Sequence, residues 1–147
     1  MNAETAFQLA NLAVLPAWAL LAVLPGWRGT QVVAAMIVPL LLAAAYILLL
    51  GLGIASEPGG AEPRGFGSID EVRGLLSTDL AFTAGWFHYL AFDLFVGAWE
   101  VREAHRLGMP HWLVLPCLAL TFMLGPAGLL LFYVLSLPAR RRANIVA

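Results

Sequence analysis

Residues 79–101 read DLAFTAGWFHYLAFDLFVGAWEV, and this stretch decides the fold. Its apolar run is about 22 residues long, enough for a helix to cross a hydrocarbon core of roughly 30 Å. A helix is expected rather than a strand, because the run does not alternate and a segment in lipid must satisfy its own backbone hydrogen bonds. His88 and Asp93 stand near its middle. The stretch therefore predicts a transmembrane helix with two ionisable side chains at mid-depth.

Three further apolar runs surround this segment, and we expect them to be helical spans as well. No Lys or Arg precedes the first run, where Asn2 and Glu4 stand instead, so it is not typical of a cleaved signal peptide. The predicted fold is all-α, a polytopic membrane protein with one four-helix transmembrane domain over residues 1–147. The predicted spans cover about residues 6–24, 32–54, 80–101 and 113–137.

The composition agrees with a membrane protein. Apolar residues make up 61% of the chain and charged residues 12%, and the formal net charge is -1. Such a chain is neither disordered nor a typical nucleic-acid binder, since it has no broad basic surface. Cys117 is the only cysteine, which excludes an internal disulfide framework. We therefore expect a membrane-lipid environment and no nucleic-acid partner.

The only long hydrophilic stretch, residues 56–78, connects the second and third spans and is rich in Gly and Pro. Within it, Ser68 and Glu71 have the spacing of a capping box. This spacing predicts a short helix from about Ile69 that lies at the membrane surface. Ser77, Thr78 and Asp79 then provide N-cap candidates for the third span.

The arginines predict the orientation, because cytoplasmic loops of membrane proteins are enriched in cations. Four spans place both termini on one side, which then carries five arginines against three. We therefore expect both termini in the cytoplasm, and the Ala, Leu and Arg bias without Lys suggests a bacterial inner membrane. The cluster Arg140–Arg142 is expected either to contact anionic lipid or to anchor the last span. The five are Arg64, Arg73, Arg140, Arg141 and Arg142, and the three are Arg28, Arg102 and Arg106.

Asp93 is the first functional candidate. A carboxylate at mid-depth costs about 2.5–3.5 kcal/mol on insertion scales, so it is expected to face other helices or water, as a functional group or as structural glue. At about 100° per residue, Trp86, Tyr89 and Glu100 lie on its helix face, whereas His88 lies about 140° away. We expect His88 and Asp93 to flank one cavity from different edges, and Glu100 to reach the membrane interface.

Interior prolines in the other three spans predict kinked helices around the third span, and hence a cavity with free carbonyl groups at membrane depth. They are Pro16, Pro39, Pro116 and Pro126. Aromatic packing alone would also explain the bulky side chains around such a cavity. The residues predicted to line it and bind a substrate are Asn11, Trp18, Trp86, Tyr89, Phe92, Trp99, Thr121 and Phe122.

Three stretches resemble the abscisic-acid-deficient-four family, whose plant members are plastid membrane proteins required to make neoxanthin from violaxanthin. They are LAVLPAWALLAVLP (12–25), LLSTDLAFTAGWFHYLAFDLF (75–95) and LPCLALTFMLGPAGLLL (115–131). The most specific element is the spacing of His88 and Asp93, followed by Gly-Pro-x-Gly at residues 125–128. The resemblance implies a carotenoid or another isoprenoid as ligand. Bacteria generally do not make violaxanthin, so the substrate itself does not carry over.

The chemistry that the resemblance implies is a redox-neutral isomerisation of an epoxide end group to an allenic alcohol, which needs no cofactor. An acid must protonate the epoxide oxygen, and a base must remove a proton from the adjacent polyene carbon. We assign these roles to Asp93 and His88, without deciding which is which. A non-catalytic carotenoid- or lipid-binding accessory protein, acting with a second copy of the chain or with a carotenoid enzyme, would have the same aromatic walls.

Other functional classes fit the sequence less well. Three histidines, His88, His105 and His111, are too few for the histidine boxes of a membrane di-iron enzyme. Only His88 is deep enough to ligate a haem, which would then require a dimer. Glu103, His105 and His111 are residue types that bind metals, but their irregular spacing is typical of a hydrated loop, and we predict no metal site. A proton-coupled transporter using Asp93 is weakened because no internal repeat is visible.

Overall fold

The fold is all-helical across the part of the chain that the structure, a computed structural model, describes, namely residues 2–56 and 65–146. Among these described residues, three helices are long and apolar enough to span a membrane: Ala3–Val23, Arg28–Gly53 and Asp79–Arg106. In chain order the elements are α1 (Ala3–Val23), α2 (Arg28–Val32), a π-helical turn (Val33–Ile37), α3 (Val38–Ser56), α4 (Ile69–Leu75), α5 (Asp79–Arg106), a 3-10 turn (His111–Leu113), α6 (Leu115–Leu124) and α7 (Pro126–Val146).

Helix α5 is the centre of the bundle and packs against α1, α3 and α6. It begins after Thr78, whose hydroxyl oxygen accepts a hydrogen bond from the Ala81 amide as an N-cap. Small residues let its neighbours approach closely. At Gly97 a Cβ would lie 2.7 Å from the ring of Trp18 on α1, so only glycine leaves room for that ring.

The second span is not a regular α-helix. The π-helical turn separates α2 from α3 just before Pro39. Because Pro39 has no amide hydrogen, the carbonyl of Ala35 cannot make its regular helical hydrogen bond there. A wider turn is one way in which a helix absorbs such a defect. The irregularity expected from the interior proline is therefore found in this span.

Residues 113–137 form a helical hairpin and not the single fourth span that the sequence predicts. Helix α6 ends at Leu124, Gly125 has a φ of 48°, and α7 begins at Pro126. Glycine adopts a positive φ readily, and a proline at the start of a helix needs no amide partner. The Gly-Pro pair thus ends one helix and begins the next. With 10 residues, α6 is only about 15 Å long, about half of a hydrocarbon core.

Helix α7 runs back toward the end of α5 at which α6 began. Phe132 packs edge-on against Trp99 with ring centroids 5.4 Å apart, and Arg140 forms an ion pair of 3.0 Å with Glu103 in the last turn of α5. The start of α1, in contrast, lies beside Asp79 at the start of α5. The expectation that both termini share one side is therefore wrong, because the hairpin reverses the chain inside the bundle.

The polar connection contains the short helix that its capping box predicts. Helix α4 begins after Ser68, whose hydroxyl oxygen accepts a hydrogen bond of 3.2 Å from the Glu71 amide. Its position at the membrane surface stays a prediction. Residues 57–64, including Arg64 of the orientation argument, lie outside the described residues.

Candidate functional site

Asp93 lies at the middle of α5 and is only 9% exposed. Its carboxyl group packs against the tip of the α6–α7 hairpin, where a Cβ on Gly125 would lie 2.6 Å from Oδ1. Tyr89, one helical turn earlier, approaches the same carboxyl group with its hydroxyl. Within the described part of the chain, Oδ2 of Asp93 has no hydrogen-bond partner. A buried carboxyl oxygen without a partner is costly, and therefore marks a place where a substrate or a proton can be bound.

A cavity of about 300 Å³ lies between α1, α5 and the hairpin tip, and we call it the α1–α5 groove. Asn11, Trp86 and Tyr89 provide its polar atoms, and Phe122 and Met123 form part of its apolar wall. Tyr89 belongs both to the groove and to the surroundings of Asp93. The structure thus brings together four of the eight residues predicted to bind a substrate: Asn11, Trp86, Tyr89 and Phe122.

The polar wall of the groove is held by a hydrogen bond between helices. The indole N–H of Trp86 donates to Oδ1 of Asn11 at 2.9 Å, and the side-chain amide of Asn11 donates to the carbonyl of Phe7 at 3.0 Å. The ring of Trp86 also contacts the rings of Phe7 and Tyr89, each with centroids 5.2 Å apart. A rigid aromatic surface with a few polar atoms fits a flat, conjugated ligand that carries a polar end group.

Glu100 is fully buried, so the expectation that it reaches the membrane interface is wrong. Its Oε1 accepts a hydrogen bond of 2.9 Å from the hydroxyl of Thr121 on α6, while its Oε2 has no partner in residues 2–56 and 65–146. The α6–α7 hairpin covers this face of α5, and Gly128 of α7 packs directly against Thr121. Two carboxyl groups, those of Asp93 and Glu100, therefore lie two helical turns apart on one covered face.

The structure does not bring His88 and Asp93 together. His88 is exposed, and its ring contacts those of Tyr46 on α3 and Phe92, with centroids 5.6 Å and 4.6 Å apart. Phe92 lines a second, almost entirely apolar cavity of about 280 Å³ between α3 and α5. The two residues face different neighbours because a five-residue step turns a helix by about 140° away from its starting face. The expected shared cavity is not found, and a catalytic role for His88 stays a prediction.

Three other predicted binding residues support the hairpin and do not line the groove. Trp18 is buried against Phe122 with centroids 5.4 Å apart, and Trp99 packs on Phe132 and Tyr133 of α7. Thr121 is the partner of Glu100. Their aromatic rings and hydroxyl group hold α1 and α5 against the α6–α7 hairpin.

Gly125 and Glu100 belong to the site, although the sequence predicts Gly125 inside a continuous span and Glu100 at the membrane interface. A Gly-Pro dipeptide inside an apolar run is a recognised signal for a helix break, and residues 125 and 126 carry it. Glu100 stands seven residues after Asp93, a spacing that keeps both carboxyl groups on one face. The sequence contains both signals. Only the packing of the hairpin shows that Gly125 contacts Asp93 and that Glu100 is buried beside Thr121.

Two of the three loop residues considered as metal ligands, Glu103 and His111, have other partners. Glu103 accepts two hydrogen bonds of 2.7 Å from Arg106 and pairs with Arg140, and His111 Nε2 lies 3.0 Å from the carbonyl oxygen of Ala22. His105 is exposed. Among the residues described, no group of three His, Cys, Asp or Glu side chains could hold a metal ion.

Comparison with known proteins gives one family. The model of a family described as ABA DEFICIENT 4-like matches residues 5–132, which include most of α1, all of α5 and α6, and the hairpin tip. No curated protein and no solved structure is significantly similar to the chain.

Proposed function

Since the chain belongs to the ABA DEFICIENT 4-like family, we propose that it acts on a carotenoid or another isoprenoid inside the membrane. The family is consistent with a carotenoid-related membrane protein, which is the function that the sequence resemblance implies. We further propose that the reaction is a redox-neutral isomerisation of the polar end group. The observation that carries this proposal is the buried carboxyl group of Asp93, near an aromatic groove, with one oxygen that has no partner among the described residues.

The α1–α5 groove suits one end of such a ligand. Its aromatic surface matches a conjugated chain, and the hydrogen-bonding groups of Asn11, Trp86 and Tyr89 match a hydroxyl or epoxide oxygen. A cavity of about 300 Å³ holds an end group but not a whole carotenoid. The rest of the ligand would therefore extend along the apolar helices into the lipid.

Asp93 can supply both proton transfers that the isomerisation needs. Its protonated oxygen gives a proton to the epoxide oxygen as the carbon–oxygen bond breaks, and the bonding electrons stay on oxygen. Its other oxygen takes a proton from the adjacent polyene carbon, and that carbon–hydrogen electron pair becomes the new carbon–carbon double bond. The carboxyl group ends protonated, as it began, and nothing is oxidised or reduced. Tyr89 lies between the groove and the carboxyl group, so the end group of the ligand would have to reach past Tyr89 for Asp93 to act on it directly.

A non-catalytic carotenoid-binding protein is the second candidate function. It is favoured by the fact that Asp93 does not itself line the groove, whereas Tyr89 does. In this case Asp93 would only orient the Tyr89 hydroxyl, and Tyr89 would hold the ligand's oxygen.

Expression of the chain in a carotenoid-producing host, with chromatography of the pigments, separates the two functions. An isomerase produces a new pigment isomer, and Asp93→Asn should lower its amount about a hundredfold or more, which is a typical loss when a general acid–base group is removed. A binder would copurify with unchanged pigment, and no new isomer would appear.

The matched control is Asp79→Asn, which removes the exposed carboxyl group at the start of the same helix. It should leave the new isomer unchanged, and so should His88→Ala, because His88 lies away from Asp93. Full product formation by Asp93→Asn would contradict the assignment of Asp93. Loss of product in His88→Ala, with normal folding, would restore His88 as a catalytic candidate.

A further inference from the structure

The hairpin gathers most of the arginines at one end of the molecule, which we call the arginine end. Arg28 begins α2, beside the end of α1. Arg102 of α5 lies near α2 too, with its Nη1 3.5 Å from Oε1 of Gln31. Because α7 returns to the end of α5, the C-terminal arginines join them. Glu103 is the only acidic residue here besides the buried Glu100, within the described ranges. The arginine end carries six of the eight arginines of the chain: Arg28, Arg102, Arg106, Arg140, Arg141 and Arg142.

A cavity of about 480 Å³ lies at this end, between the α5–α6 connection and the last turns of α7. Arg106 and Arg142 provide its charged side, and Met109, Leu113, Leu135 and Pro138 form much of its apolar side. The cavity therefore combines two guanidinium groups with an apolar wall, at the C-terminal end of the span formed by α5.

Glu103, the one acidic group near the cavity within residues 2–56 and 65–146, is already neutralised. The two carboxyl oxygens of Glu103 accept hydrogen bonds from Nε and Nη2 of Arg106, and Glu103 also forms an ion pair with Arg140. Arg140 is further held by the hydroxyl of Ser136 and lies over the ring of Tyr133 at 5.0 Å. Arg142 has no ion-pair partner among the residues that the structure describes. The cavity thus keeps a net positive charge and one uncommitted guanidinium group.

We propose that this cavity binds the head group of an anionic phospholipid. A guanidinium group binds phosphate oxygens through two parallel hydrogen bonds, and Arg142 would bind the phosphate in this way. Arg106 would add a single bond from Nη1, since its Nε and Nη2 donate to Glu103. The apolar wall would hold the first carbons of an acyl chain, which a free phosphate ion lacks. The bound lipid would contact both α7 and the α5–α6 connection, and would thereby stabilise the packing of the C-terminal part of α7. This site is separate from the α1–α5 groove and does not depend on the proposed function.

Thermal unfolding of the purified full-length protein in a neutral detergent tests the site. Dioctanoyl phosphatidylglycerol should raise the unfolding temperature saturably, whereas dioctanoyl phosphatidylcholine and inorganic phosphate should not. Arg142→Gln should weaken the apparent affinity for phosphatidylglycerol about fivefold, the change expected for one arginine at a membrane surface. Ala139→Phe, which fills the cavity and keeps every charge, should also weaken it.

The matched control is Arg141→Gln, since Arg141 is the adjacent exposed arginine and does not line the cavity. It should keep the wild-type affinity. An equal loss in the Arg141 and Arg142 variants would show general surface attraction and overturn the site. Equal stabilisation by inorganic phosphate would overturn the choice of a lipid, and wild-type affinity in Ala139→Phe would overturn the cavity as its position.

Discussion

At the scale of single residues, the two carboxyl groups of α5 are the features that need a physical explanation. Burying a carboxyl group costs several kcal/mol unless it is hydrogen-bonded or neutral. Glu100 has one hydrogen bond, from Thr121, and Asp93 is approached by the hydroxyl of Tyr89. Each keeps one oxygen without a partner among the described residues. The structure around α5 therefore depends on a few hydroxyl groups placed opposite these acids.

Replacing Thr121 by valine tests this dependence. Valine has nearly the same shape but no hydroxyl, so both oxygens of the buried Glu100 would lack a donor. We expect the free energy of unfolding to fall by about 1–3 kcal/mol, the usual cost of one buried group left unpaired. Thr121→Ser keeps the donor and should remain closer to wild type. Equal stability of the valine variant and the wild type, measured by thermal unfolding in detergent, would contradict a role for this hydrogen bond.

At the scale of elements, the hairpin α6–α7 separates this fold from a plain four-helix bundle. A helix end at membrane depth leaves backbone groups unpaired, and it is tolerated only where protein covers it. Here the hairpin tip lies against Asp93. Gly125 has a φ of 48°, and the Asp93 carboxyl group leaves no room for a Cβ at this position. The hairpin therefore positions the site, because its tip closes one side of the α1–α5 groove.

Gly125→Ala distinguishes a straight span over residues 113–137 from the α6–α7 hairpin, because the substitution should change the free energy of unfolding in opposite directions in the two cases. In a straight span, alanine would stabilise the helix by about 1 kcal/mol relative to glycine. In the hairpin it must adopt a positive φ, at a cost of about 1–2 kcal/mol, and its Cβ meets the Asp93 carboxyl group. We therefore expect a lower unfolding temperature.

Gly51→Ala in α3 is the control for this substitution. Nothing lies within 4 Å of a Cβ at that position, so alanine should raise the unfolding temperature slightly. If Gly125→Ala stabilises the protein as Gly51→Ala does, this would contradict the turn at Gly125 between α6 and α7.

At the scale of the whole molecule, the reversal of the chain separates its charges. The six arginines of the arginine end oppose an acidic end with Glu4, Asp70, Glu71 and Asp79. Because cations favour the cytoplasmic side, we expect the arginine end in the cytoplasm and the N-terminus on the far side. This differs from the orientation that four spans predict, because the C-terminal arginines change sides.

Cysteine labelling in membrane vesicles measures this orientation. In a Cys117→Ala background, single cysteines replace Glu4, Arg28 and Arg141, all of which are exposed. A membrane-impermeant thiol reagent should label positions 28 and 141 from one side and position 4 from the other. Labelling of positions 4 and 141 from the same side would support four spans and contradict the hairpin.

The sequence by itself determined the helical membrane class, the first three spans, the capped helix α4 and the family. These follow from local properties, since an apolar run of sufficient length must form a helix in lipid and a capping box acts within one turn. It also predicted that Asp93 needs a special environment at mid-depth, and it named four residues that line one groove in the structure. Their roles in binding and catalysis stay predictions.

Only the tertiary structure decided the hairpin, the burial of Glu100, the separation of His88 from Asp93 and the side on which the last arginines lie. Each depends on contacts between residues far apart in the chain. Hydropathy measures how much apolar surface a segment must bury, but it does not say whether the segment crosses the bilayer or turns back. In this protein the chain turns back at Gly125, where packing against the carboxyl group of Asp93 leaves no space for a side chain.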